Sequence, residues 1–109
     1  MRSINALVLA ALLSGCAGHQ DFLGNTMPEA CLDVSDIDIQ VIEMPEAEIR
    51  KVAPTEKAHL YGAWLQYVFK PHVILISEGL TPTRWAEVLH HEKCHEKMWR
   101  LTGNGEWHQ

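Results

Sequence analysis

The alternation of apolar and polar residues predicts three strands and a short helix ahead of a longer helical segment. Residues 36–44 alternate Ile and Val with polar side chains, which is typical of a half-buried strand. Residues 46–52 are acidic at their front and basic at their back, as the helix dipole favours. Residues 59–69 fit a helix or a strand, but Gly62 and the aromatic and β-branched content favour a strand over 61–69. Residues 73–76 are apolar throughout and predict a buried strand.

A long helix is predicted from Thr83 to Leu101, a stretch without Gly or Pro in which apolar residues recur every three or four positions. Thr81-Pro82-Thr83 offers hydroxyl groups for an N-cap and a proline suited to the first turn, and Gly103 is suited to the C-terminal cap. The order strand, short helix, strand, strand, long helix predicts an α+β fold. In this fold a three-stranded sheet is covered on one face by the long helix.

The long helix contains His91-Glu92-Lys93-Cys94-His95, which has the spacing H-E-x-x-H. Residues four apart lie one above the other on a helix, so His91 and His95 can bind the same metal ion. Glu92 lies about 100° around the helix from His91, within reach of a water molecule held by that ion. We therefore expect Zn²⁺ bound by His91 and His95, with Glu92 as the general base.

A catalytic zinc site needs a third protein ligand and an open position. His108 is the best candidate, because the turn Gly103-Asn104-Gly105 can fold the chain back beside the helix. Glu106 is the alternative third ligand. His59 and His72, otherwise expected in turns or on the surface, are the remaining options.

At His91, Glu92 and His95 the sequence resembles the zincin metallopeptidases. Twelve residues separate His95 from His108, which differs from the close Gly-and-His continuation of metzincins, and the long insertion of gluzincins is missing. The chain is more similar to small, minimal zincins, in which a short helix-turn element ending in Trp-His follows the motif. The resemblance covers about residues 38–109 and implies hydrolysis of peptide bonds by a zinc-activated water. It also implies an edge strand, either 61–69 or 73–76, that binds extended peptide.

The first fifteen residues predict a secretory signal peptide, with a positive charge at Arg2, an apolar run and small residues before Cys16. Leu13-Ser14-Gly15-Cys16 resembles the bacterial lipobox, which implies that Cys16 is acylated and becomes the mature N-terminus. Acyl chains on Cys16 would anchor the protein to a membrane in the cell envelope. Ala17, rather than Asp, follows this cysteine, which favours the outer membrane with the domain facing the periplasm.

Residues 16–36 are polar and interrupted by Gly and Pro, and are interpreted as a lipidated N-terminus and tether that leads to a zincin-like domain at 37–109. Once Cys16 is lipidated, Cys31 and Cys94 remain as a pair. In an oxidising periplasm these two cysteines can form a disulfide. A buried free thiol is the alternative, and a role of Cys94 as a metal ligand is disfavoured because it points away from the metal face.

The composition, 47% hydrophobic and 21% charged over 109 residues, is that of one ordinary folded domain. A net charge of -5 and the lack of any basic run argue against nucleic acid as a partner. The sequence thus predicts a lipid-anchored zinc metallopeptidase acting on a peptide or protein substrate. Two alternatives are a non-catalytic envelope lipoprotein with a structural or sequestering zinc site, and a coincidental H-E-x-x-H on a core-packing helix.

Overall fold

The computed structural model of the chain describes residues 19–108. The predicted signal peptide and the predicted lipidation of Cys16 lie outside these described residues. Between residues 19 and 108, no helix combines the length and the apolar character needed to cross a bilayer.

The predicted α+β fold is confirmed, and the described chain adds a small N-terminal hairpin and a 3₁₀ helix to the predicted elements. Strand β3 begins four residues later than predicted, and β4 is shorter than the stretch 61–69. The elements of residues 19–108 are β1 (His19–Gln20), β2 (Thr26–Met27), the 3₁₀ helix Glu29–Leu32, β3 (Gln40–Met44), α1 (Glu46–Val52), β4 (Gly62–Leu65), β5 (Val73–Ser77) and α2 (Pro82–Thr102).

The main sheet has the strand order β3-β5-β4, with β5 parallel to β3 and antiparallel to β4. The central position of β5 explains its unbroken apolar sequence, since Ile74, Leu75 and Ile76 are all buried. Strand β4 lies at the edge of this sheet and contacts α2. The helix that carries the H-E-x-x-H motif therefore lies beside a strand with one free edge.

Helix α2 begins and ends where its capping residues predict. The Thr81 hydroxyl accepts a hydrogen bond from the Arg84 amide at 3.2 Å, and Gly103 adopts a left-handed conformation at φ 79°. Val88, 1% exposed, packs with Ile74 and Ile76 and joins the helix to the sheet. This contact fixes the first half of α2 and, with it, the position of the motif one turn later.

Part of the N-terminal segment is ordered against α2, where the 3₁₀ helix Glu29–Leu32 contacts the long helix. Cys31 and Cys94 form a disulfide across 63 positions of sequence, and Val34 is buried with them. The His90 ring lies on the same side of the helix, with Nε2 2.6 Å from the carbonyl oxygen of Cys31. The polar, turn-rich sequence conceals this packing because its contacts are with a distant helix rather than within a regular element.

Candidate metal centre

Three histidine rings converge on one point beside the middle of α2. Nε2 of His108 lies 3.1 Å from Nε2 of His91 and 3.1 Å from Nε2 of His95. The three ligand atoms all lie within 4.8 Å of one another. The turn after α2 thus brings the C-terminal histidine back to the two histidines of the motif.

The spacing of these nitrogens fits a shared metal ion. Ligands about 2.0–2.1 Å from a tetrahedral ion are separated by about 3.3 Å, close to the two distances from His108. Without an ion, ring nitrogens that face one another bring lone pairs together, because one N–H cannot serve both neighbours. The cluster of His91, His95 and His108 could therefore bind a metal ion.

His91 is oriented by a carboxylate from the N-terminal hairpin. Its Nδ1 donates a hydrogen bond to Oδ2 of Asp21 at 2.5 Å, which leaves Nε2 free to face the cluster. Burial alone would raise the pKa of Asp21, but hydrogen bonds from Asn25 and His91 outweigh it and hold that pKa below its ordinary value. Asp21 is thus an anion, the state that best supports a histidine ligand.

His95 is oriented by the returning C-terminal chain. Its Nδ1 donates to the carbonyl oxygen of Gly105 at 2.7 Å, and the indole of Trp64 stacks on its ring with centroids 5.7 Å apart. A Cβ at residue 105 would lie 2.5 Å from the Trp64 ring, so only glycine allows the chain to pass at this position. Glycine at 105 therefore lets the chain pass Trp64 and places its carbonyl oxygen where it accepts the hydrogen bond from His95.

Burial favours the neutral form of both helix histidines. Burial lowers the pKa of His95 to about 4, and burial also lowers the pKa of His91 despite the opposing effect of Asp21. Metal binding requires neutral imidazole, so no proton has to leave these two rings at neutral pH.

Glu92 lies beside the cluster without belonging to it. One of its carboxylate oxygens is 4.0 Å from Nε2 of His91 and the other is 4.0 Å from Nε2 of His95. Burial, and then the charge of Glu106, raises the pKa of Glu92 to about 8. A carboxyl group with this pKa can take up and release a proton near neutral pH.

A cavity of about 210 Å³ opens next to these groups. Glu92 and the three histidines line it, together with the side chains of Lys57 and Glu106. Glu106, the alternative third ligand, is exposed and is not part of the ligand cluster found within residues 19–108. The centre thus combines three histidines with open space on one side.

His72 and His59 lie outside the cluster. The expectation that His72 is a turn or surface residue is wrong, because it is 9% exposed and its Nδ1 lies 2.8 Å from Oε1 of Glu96. His59 is exposed and stacks on Tyr61. Neither histidine is positioned to replace His108.

A buried polar network lies behind His95. Glu96 accepts hydrogen bonds from Trp64 Nε1 and from Arg100 Nε, both at 2.8 Å, in addition to its contact with His72. Burial alone would raise the pKa of Glu96, but these three partners lower it overall. The network fixes the indole that stacks on His95, so Glu96 acts on the centre through Trp64.

Trp107 supports the centre from the side of the disulfide. Its ring centroid lies 5.0 Å from that of His91 and 5.6 Å from that of His95, and the side chain also packs on the cluster around Cys31 and Cys94. These contacts hold the C-terminal turn against α2.

Comparison of the chain with protein-family models, with curated proteins and with solved structures gives no match.

Proposed function

We propose that this protein is a zinc-dependent metallopeptidase that holds Zn²⁺ with His91, His95 and His108 and uses Glu92 as the general base. The observation that carries the proposal is the position of Glu92, whose carboxylate lies 4.0 Å from the ligand nitrogens of both motif histidines and lines the same cavity. Three imidazoles with open space beside them are typical of catalytic rather than structural zinc.

When bound, zinc supplies Lewis-acid activation of a water molecule and of the carbonyl group under attack. His91 and His95 contribute lone pairs at Nε2 because Asp21 and the Gly105 carbonyl hold the protons at Nδ1. The positive charge of a bound zinc ion would favour the carboxylate form of Glu92. Its Oε atoms then take the proton from the attacking water and return it to the leaving amine.

The edge of β4 provides a place for the backbone of an extended peptide. Gly62, at the start of this strand, lines the cavity together with Glu92. Strand addition at this free edge would hold a peptide by backbone hydrogen bonds across the face of the centre. This arrangement supports a peptide or protein as the substrate.

Replacement of Glu92 by Gln tests the proposal, with Glu87→Gln as a matched control at a partly exposed position of the same helix. We expect zinc content to stay unchanged in both variants. Peptide hydrolysis should fall by at least about a hundredfold in Glu92→Gln alone. A Glu92→Gln protein that binds zinc and cleaves peptide as fast as the parent would rule out Glu92 as the general base. A zinc-loaded parent that cleaves no peptide would support a non-catalytic zinc lipoprotein instead.

We further propose that the protein is anchored by lipid at Cys16 in the bacterial envelope, on the outer membrane and facing the periplasm. The Cys31–Cys94 disulfide supports an oxidising compartment. Labelling with palmitate should mark the parent and fail in Cys16→Ser, whose product should leave the membrane fraction. Equal membrane association of the two proteins would contradict the anchor.

A further inference from the structure

A second cavity, of about 480 Å³, opens beside the metal centre. It shares His91, Glu92 and His108 with the centre, and its apolar walls come from Phe22, Leu23, Leu60, Tyr61 and Val88. We propose that this apolar cleft binds a large apolar side chain of the substrate next to the bond that is cleaved. The inference rests on the proposed peptidase function and adds the class of side chain that the protein selects.

The aromatic wall of the cleft is held in place by neighbouring groups. Phe22 and Tyr61 pack edge to face with centroids 5.9 Å apart, and Phe22 packs in the same way on the His91 ring at 5.9 Å. The guanidinium of Arg84 lies over Phe22, 4.7 Å from its centroid. These contacts keep the wall formed before a substrate arrives.

The size and lining of the cleft fit an apolar group larger than a methyl. Pockets that bind small ligands span about 300–1,000 Å³ and combine apolar walls with a few polar groups. Here the polar lining outside the metal centre is limited to Asn25, Lys57 and His59, with His59 stacked on Tyr61. A charged substrate side chain would lose hydration against these walls, whereas a Phe or Leu side chain would gain from burial.

The position of the cleft places the selected side chain next to the reacting bond. Glu92 and Gly62 line both this cleft and the smaller cavity at the centre. A peptide added to the edge of β4 would therefore reach Glu92 with its backbone while one side chain enters the cleft. Because Glu92 and Gly62 line both cavities, a substrate side chain in the cleft would lie next to the bond on which Glu92 acts.

The first test measures binding without metal or turnover. Four peptides that differ only at one position, Phe, Leu, Ala or Asp, are titrated into the metal-free protein and followed by amide NMR shifts. We expect the Phe and Leu peptides to bind at least about tenfold more tightly than the Ala and Asp peptides, with shifts at Tyr61 and Val88. Equal affinities, including no measurable binding of any peptide, would overturn the inference.

The second test alters the cleft. Leu60→Asp should remove the preference for Phe and Leu, and Leu60→Ser should reduce it if the aspartate variant fails to fold. Leu101→Asp is the matched control, because Leu101 is 61% exposed near the end of α2, and it should keep the parent preference. A preference that survives both Leu60 changes in folded protein would overturn the inference.

Cleavage of the same four peptides by the zinc-loaded protein separates this inference from the proposed function. Glu92-dependent cleavage at equal rates for all four would overturn the apolar preference and leave the peptidase in place. Selective binding of the Phe and Leu peptides without any cleavage would support the cleft and overturn the peptidase.

Discussion

The Nδ1 atom of His91 and the Oδ2 atom of Asp21 are joined by a hydrogen bond of 2.5 Å, although 70 positions separate the two residues. The bond places the N-terminal hairpin in direct contact with a histidine of the H-E-x-x-H motif. The hairpin is therefore part of the candidate metal centre rather than a spacer that precedes it.

Asp21→Asn should weaken zinc binding by about tenfold, because the amide keeps the size of the side chain but lacks the negative charge that supports His91. Competition with a zinc chelator measures the change. Asp36→Asn, which alters an exposed carboxylate paired with Lys97, should leave the affinity unchanged. If Asp21→Asn and Asp36→Asn bind zinc with the same affinity, Asp21 does not support His91 as a zinc ligand.

Removal of the disulfide should destabilise the fold. Closing a loop with a sequence separation of 63 is worth about 4 kcal/mol in the chain-entropy treatment. The double variant Cys31→Ala, Cys94→Ala should lose a free energy of unfolding of this order in urea titrations. Reduction of the parent should produce a similar loss, and an unchanged unfolding midpoint after reduction would contradict the bond.

Glu96→Ala should lower the free energy of unfolding by about 3 kcal/mol, since it leaves buried His72 and the Trp64 indole without their acceptor. Glu87→Ala, at a partly exposed position of the same helix, should change it by less than about 0.5 kcal/mol. Urea unfolding of both metal-free variants provides the comparison. A loss in Glu96→Ala no larger than in Glu87→Ala would rule out a structural role for the network.

Gly105→Ala should weaken zinc binding by about tenfold, because the added Cβ would meet the Trp64 ring and displace the carbonyl that orients His95. Gly79→Ala is a useful contrast, since Gly79 has φ 83° with open space around it. That change should cost stability through backbone strain and leave zinc affinity intact. Unchanged zinc affinity in a folded Gly105→Ala protein would contradict this role.

The sequence was sufficient to predict the α+β class, the long helix and the set of histidines that the structure brings together. These features depend on local signals: a capped periodic helix, fixed i,i+4 spacing and a glycine turn after Thr102. The contact of Asp21 with His91 could not be predicted, because His91 lies on a distant helix and the sequence around Asp21 has no periodic pattern. Trp64 and His72 were likewise missed as parts of one network, since only the pairing of β4 with β5 brings them to Glu96.

Zinc content and affinity of the protein purified from the full chain test the central claim most directly. We compare the parent with His91→Ala, His95→Ala and His108→Ala, and use His59→Ala as the control for loss of a nearby histidine. We expect one zinc per parent chain, the same in His59→Ala, and affinity reduced by more than about a hundredfold in the other three. A parent without zinc, or a His108→Ala protein with parent affinity, would contradict the three-histidine centre.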